Sequence, residues 1–166
     1  MKIELKKISF SERNSEETNC FAADLYINGK MVGVCTNSGQ GGSTCYNGFT
    51  KEDNVLIEKA EAYCKTLPKV KYHNMEWEQS LEGVIDEIID NYLKAKEEAK
   101  QIKMYDKAIC FGVPNGSRYR TVSWKNRTLA QIDKINLQIA YNDVKAKLGK
   151  GEVILNTNLK ELGITI

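Results

Sequence analysis

Phe21, Ala23, Leu25 and Ile27 alternate in one phase and run directly into Asn28-Gly29, after which Val32 and Val34 lead away. Alternation with a period of two places one face of a strand against a core. Asn-Gly is the dipeptide that a type I′ turn selects, because both central residues take positive φ. The pair therefore predicts a tight antiparallel hairpin, and the rest of the chain has to cover its apolar face. Upstream, Ile3 and Leu5 fall in one phase and Ile8 and Phe10 in the other, so a first strand with a bulge or an early end precedes the hairpin.

Beyond the hairpin the hydrophobic period lengthens. Thr50 stands before Lys51-Glu52-Asp53, where its hydroxyl caps a helix and the acidic residues meet the positive end of the dipole. Leu56, Ala60, Tyr63 and Leu67 form one face of this helix, which Pro68 ends. From about Trp77 a longer helix carries the stripe Leu81, Val84, Ile85, Ile88, Tyr92 and Leu93. Its acidic residues Glu78, Glu82, Asp86, Glu87 and Asp90 precede Lys94, Lys96, Lys100 and Lys103, an order that complements the dipole and reads as a solvated face.

Ile109, Phe111 and Val113, then Pro114-Asn115-Gly116, then Tyr119, Thr121 and Trp124 mark a second hairpin. Pro suits position i+1 of a type I turn and Gly116 the left-handed residue of an adjoining bulge, so a three-residue loop is expected. That loop opposes Val113 to Ser117 and Phe111 to Tyr119, and leaves Arg118 and Arg120 on the other face with Val122 and Trp124. Thr128-Leu129-Ala130-Gln131 reads as a capping box opening a third helix, with Ile132, Ile135, Ile139 and Leu148 buried and Gly149 past its end. Val153-Ile154-Leu155 is a short last strand. The order βββααββαβ predicts an α+β fold: a mainly antiparallel sheet with two β-hairpins and three helices packed on one face. With 166 residues, 42% hydrophobic, two prolines and no linker or repeat, residues 1–166 read as a single compact domain.

Twenty-four Lys and Arg oppose 22 Asp and Glu, a formal charge of +2, so no global field draws the chain to nucleic acid or an anionic membrane. No apolar run approaches the ~20 residues that span a bilayer, and Met1-Lys2-Ile3-Glu4-Leu5 is no signal region, which predicts a cytosolic protein. Cys20, Cys35, Cys45, Cys64 and Cys110 are odd in number and lack CxxC spacing, the pattern of reduced thiols. Neither a cofactor nor a metal is expected. A zinc set of Cys20, Cys35, Cys45 and His73 ranks behind buried small hydrophobes, because close-spaced ligand pairs are missing.

Two constellations carry binding chemistry. The first is the loop Asn37-Ser38-Gly39-Gln40-Gly41-Gly42-Ser43-Thr44-Cys45-Tyr46-Asn47-Gly48, where glycines permit positive φ and successive N–H groups can converge on an anion. It lacks the Gly-Lys-Ser/Thr ending of a P-loop and the dinucleotide fingerprint. Its candidate ligand-binding residues are Asn37, Ser38, Gly39, Gln40, Gly41, Gly42, Ser43, Thr44 and Tyr46. The second is Arg118, Arg120, Trp124, Lys125 and Arg127, in which guanidinium groups can grip phosphate and the indole can stack on a base. Catalysis is not expected: His73, the only histidine, has no nucleophile tied to it by a motif.

Glu17-Thr18-Asn19-Cys20-Phe21, followed by Asn28-Gly29-Lys30, Gly33, Asn37, Gly39 and Gly41-Gly42, resembles the opening of small uncharacterised proteins encoded by bacteriophages and other mobile elements. Ile154-Leu155-Asn156 with the following leucine-containing turn is a weaker similarity. The resemblance implies a viral or mobile-element origin and brings no activity or catalytic residues. With it, the leading expectation is a non-enzymatic counter-defence protein in the host cytosol. It would sequester a nucleotide or other phosphate-containing signal, with Arg118, Arg120 and Arg127 neutralising the phosphate and Trp124 or Tyr46 stacking on a base. The alternatives are an inhibitor that docks directly on a host nuclease or other defence protein, favoured by flat aromatic and arginine-rich patches, and a nucleic-acid-binding protein. A homo-oligomer is a secondary expectation, because intramolecular packing accounts for the apolar faces.

Overall fold

Strand β1 (Ile3–Phe10) pairs antiparallel with β2 (Phe21–Ile27), which turns into β3 (Lys30–Asn37), and β4 (Cys45–Gly48) completes a sheet of order β1-β2-β3-β4. The computed structural model describes residues 1–72, 75–116 and 118–166. The change of phase in β1 is a bulge: the register shifts between Lys6 and Ser9, and Lys7 takes φ 50°. Lys7 also pairs with Asp24 on β2 at 3.0 Å. The Asn28-Gly29 turn has φ 49° and 84°, as type I′ requires. A second bulge between Leu25 and Tyr26 adds one residue to β3, so Phe21 faces Asn37.

Strand β4 lies within what the sequence reads as loop. It reaches β3 because Gly33 has no side chain: a Cβ there would collide with the Asn47 carbonyl. Helix α1 (Lys51–Cys64) begins as expected, with the Thr50 hydroxyl accepting from the Asp53 N–H at 3.1 Å. The first turns of α2 do not form where the sequence puts them. Strands β5 (Val70–Tyr72) and β6 (Met75–Trp77) pair instead, and α2 (Leu81–Tyr105) starts behind Ser80, whose hydroxyl accepts from the Gly83 N–H at 3.0 Å.

By its contacts the chain divides into two compact units, Met1–Leu93 and Lys94–Ile166. In the first, Phe21, Ala23, Leu25 and Ile27 form the inner face of β2. They meet Ile57, Ala60 and Cys64 of α1 and Leu81, Ile85 and Ile89 of α2. Ile89, absent from the expected stripe, is fully buried, whereas Tyr92 is exposed.

In the second unit β7 (Ala108–Gly112) is the middle strand of the order β8-β7-β9, between β8 (Tyr119–Ser123) and β9 (Val153–Ile154). Here the expected register is wrong by one: Phe111 opposes Arg120, and Gly112 opposes Tyr119. The cause is the turn. Gly116 N–H donates to the Val113 carbonyl at 3.0 Å, and the left-handed residue is Asn115 (φ 60°), so Val113-Pro114-Asn115-Gly116 has the form of a type II turn. The expected Val113–Ser117 pair involves residue 117, outside the described residues. Ile109 and Phe111 consequently share a face with Val122 and Trp124, and this face packs against α3 (Lys134–Ala146). On the other face Ala108 and Cys110 meet Tyr105, Met104 and Tyr119. The capping box at Thr128 opens only a short 3₁₀ turn, Leu129–Gln131, and Asp133 caps α3 by accepting from the Asn136 N–H at 3.0 Å. That later start turns Leu137, Tyr141 and Val144 inward and leaves Ile135 (73% exposed) and Ile139 (53%) to solvent, against expectation. The α+β class, the antiparallel pairing and the three α-helices agree with the sequence reading. Among the described residues no helix is long and apolar enough to cross a membrane.

Candidate functional site

The glycine loop is built around the carboxamide of Asn37, buried at the end of β3. Its Oδ1 accepts from the Gly39 N–H and the Thr18 hydroxyl, both at 2.9 Å. Its Nδ2 donates to the Gly42 carbonyl at 3.0 Å and to the Thr44 hydroxyl at 3.1 Å. Gly39 (φ 86°) and Gly41 (φ 81°) supply the left-handed turns. A concavity of successive N–H groups does exist, but it belongs to Glu16, Glu17 and Thr18, and its occupant is the Gly39 carbonyl, at 2.9, 2.9 and 3.2 Å. The Gly41 N–H meets the Thr18 hydroxyl at 3.3 Å.

The loop's remaining anchor is α2. Glu82, Asp86 and Asp90 recur every four residues and so share one face of the helix, adjoining the buried row Leu81, Ile85 and Ile89. Glu82 accepts from the Thr44 N–H at 2.8 Å, Asp86 from the Thr44 hydroxyl at 2.6 Å, and Asp90 from the Asn19 amide at 2.7 Å. Thr44 thus ties the loop to the helix through both its backbone and its side chain. The three carboxylates line a cleft of about 350 Å³ together with Asn19, Gly42 and Ser43. Among the described residues no lysine or arginine lines it. Partial burial, with repulsion from Glu82 and Asp90, pushes the Asp86 carboxyl above the usual range, and the Thr44 hydrogen bond opposes this.

Of the expected loop residues, Asn37, Gly41, Gly42 and Ser43 line the cleft, while Ser38 and Gln40 are exposed. Asn37, Gly39 and Thr44 are buried and engaged within the loop or with α2. Tyr46 is not a free stacking platform: its ring packs on the core and its hydroxyl donates to Glu61 at 2.8 Å. The phosphate role expected of the loop meets an electrostatic objection, since an anion entering this cleft would face three carboxylates. Sequence reasoning took these carboxylates for a solvated helix face. Their spacing of four, one position after each fully buried residue, was the signal that placed them at the edge of the core.

The arginine set lies in the second unit. Arg120 is ion-paired with Glu152, and its guanidinium lies 4.6 Å from the centre of the Phe111 ring. Trp124 packs partly into the second core, and Arg118, Lys125 and Arg127 are exposed. Trp124 and Arg127 line one hollow with Ile139 of α3. Arg120 lines another with Val122 and Val144.

The zinc reading is not assembled. Cys35 opposes Tyr46 and Cys45 opposes Thr36, so the two thiols point to opposite faces of the sheet. Burial pushes the Cys35 and Cys110 thiols up to about 11, the state of inert small hydrophobes. His73 lies outside the described residues. No protein-family model matches the chain, and no curated protein or solved structure matches it.

Proposed function

We propose that this chain is a non-enzymatic binding protein that acts by docking on another protein, its loop–helix cleft receiving a lysine or arginine side chain of that partner. The observation that carries the reading is the line Glu82, Asp86 and Asp90 facing a cleft that no lysine or arginine among the described residues lines. A cation placed there gains attraction from three carboxylates and relieves their mutual repulsion. A phosphate group gains neither. The inhibitor reading therefore takes precedence over nucleotide capture. It also suits the counter-defence role expected of a protein of viral or mobile-element origin, because nucleases and other nucleic-acid-processing proteins grip phosphates with exposed lysines and arginines. An inhibitor offering carboxylates on a fixed helix competes for those side chains.

Thermal unfolding with two panels tests the reading: trilysine and triarginine in one, linear and cyclic nucleotides in the other. A ligand at ~100 times its dissociation constant adds about 2.7 kcal/mol, several degrees in midpoint for a domain of this size. The basic peptides are expected to raise the midpoint of the native protein and to lose most of that effect in D86N/D90N. A shift confined to nucleotides would return the protein to the signal-sequestering class.

A further inference from the structure

We propose that this protein self-associates through the outer face of α3, the ridge formed by Ile135 and Ile139 of each copy entering the hollow beside Trp124 of the other. At about 100° per residue, Ile135, Ile139, Asn142 and Ala146 fall within a sector of about 60°, on the side of the helix away from buried Leu137, Tyr141 and Val144. All four are exposed, and their steps of four, three and four are those of a seam between two helices. Intramolecular packing thus leaves an apolar ridge uncovered. On one flank of the ridge Gln138 donates through Nε2 to the Thr165 carbonyl at 3.1 Å and accepts at Oε1 from the Thr165 N–H at 2.8 Å, which tethers Thr165, and the exposed Ile166 after it, beside the helix. On the other flank lies a hollow of about 440 Å³, walled by Ile139 and Ala140 of the helix and by Trp124, Arg127 and Ile132 of the segment that precedes it.

A second copy of the chain is the occupant that this face selects. Ridge and hollow lie side by side on one surface, and a two-fold axis beside Ile139 lets each copy offer its ridge and receive the other's, the self-complementarity that an isologous contact requires. The charges match in the same way. Arg127 and Asp143 stand on the two walls of the hollow, both exposed, and among the described residues neither has an ion-pair partner. The other carboxylate of the hollow, Asp133, is engaged in capping α3. Asp143 lies on the hollow side of the ridge, so a ridge lowered into the hollow of another copy carries its Asp143 towards that copy's Arg127. The two-fold makes this pair twice. A uniformly acidic or basic partner would satisfy one of the two charges and repel the other. With 13 residues α3 is about 20 Å long, which puts the contact at the low end of interface sizes and the dimer in the micromolar range. This face belongs to the second unit and shares no residue with the acidic cleft, so the two proposals stand or fall separately.

Sedimentation velocity from submicromolar to millimolar concentration tests the proposal. The native protein is expected to pass from monomer to dimer, and Ile139→Lys, which acts twice in a two-fold contact, to weaken association by about tenfold or more. Arg127→Glu and Asp143→Arg each bring like charges together at both ion-pair positions of the dimer, so each alone should also associate about tenfold or more weakly. Mixed in equal amounts, these two variants restore opposite charges at both positions, and the mixture should associate within about threefold of the native protein. All three side chains are exposed, so melting temperatures in solutions dilute enough to be monomeric should stay unchanged. A chain that remains monomeric up to millimolar concentration would overturn the proposal and leave the face to a different partner. So would a dimer that tolerates Ile139→Lys, or charge reversals whose mixture associates no better than either variant alone.

Discussion

Asp86 is held by the Thr44 hydroxyl between two further carboxylates, and its environment disfavours charge. A carboxyl whose pKa is raised by folding binds its proton more tightly in the native state. Its effect on stability is therefore most favourable below the ordinary Asp value of about 3.9 and is lost as pH rises through the raised value. In Asp86→Asn the carboxamide oxygen still accepts from Thr44 and carries no charge. We expect the stability difference between D86N and the native protein to be small near pH 3 and to grow in favour of D86N as pH rises towards 7, measured as urea midpoints. A difference that shrinks with pH would mean that the native carboxylate is favourably paired. Asn156 shows the opposite kind of polar residue, one that closes a structure rather than opening a site. Its Oδ1 accepts from the Cys110 N–H at 2.6 Å, and its Nδ2 donates to the carbonyls of Tyr105 and Ala108 at 3.2 and 2.9 Å. The strand-end similarity at Ile154-Leu155-Asn156 thus falls on a residue that satisfies buried backbone groups.

At the scale of elements, α3 gives the sharpest test. Leu137 is fully buried and Ile135 largely exposed, although both are aliphatic and two positions apart. Leu137→Ala should cost about 2–5 kcal/mol, whereas Ile135→Lys should stay within about 0.5 kcal/mol, both by chemical denaturation. Equal costs would place the helix in another rotation. The sequence made some elements legible because one local rule decided them: the Asn28-Gly29 turn, the Thr50 cap and the phase change in β1 each follow from a few neighbouring residues. Elsewhere two rules competed. Thr128 and Asp133 are both sound N-caps, and Ile132, Ile135 and Ile139 rival Leu137, Tyr141 and Val144 as an apolar face, so only packing could choose. The second hairpin turned on whether Asn115 or Gly116 took positive φ, and that one-residue difference moved Phe111 and Arg120 to a common face. β4 was hidden because its pairing depends on the absence of a side chain at Gly33, a property of the neighbouring strand. The candidate cleft was half legible: the loop was visible in its composition, but the carboxylates beside it became relevant only once Thr44 joined loop to helix.

For the whole molecule, two separate cores have a measurable consequence. Leu25 is fully buried in the first and Leu137 in the second. Native-state hydrogen exchange resolves opening free energies by region. Leu25→Ala should lower protection first among β1–β4, α1 and the start of α2, and Leu137→Ala first among β7–β9 and α3. Uniform loss across all amides in both variants would indicate a single cooperative block. The near-neutral formal charge conceals a comparable division, since carboxylates line the cleft of the first unit while residues 107–132 carry only cations.

Strand β1 lies at the margin of its sheet, and the bulge at Lys7 interrupts its regular ladder. A long flat margin of this kind would template the growth of aggregates from one molecule to the next. The kink, with Lys6 and Lys7 at it, makes the margin a poor template for the strand of a second molecule.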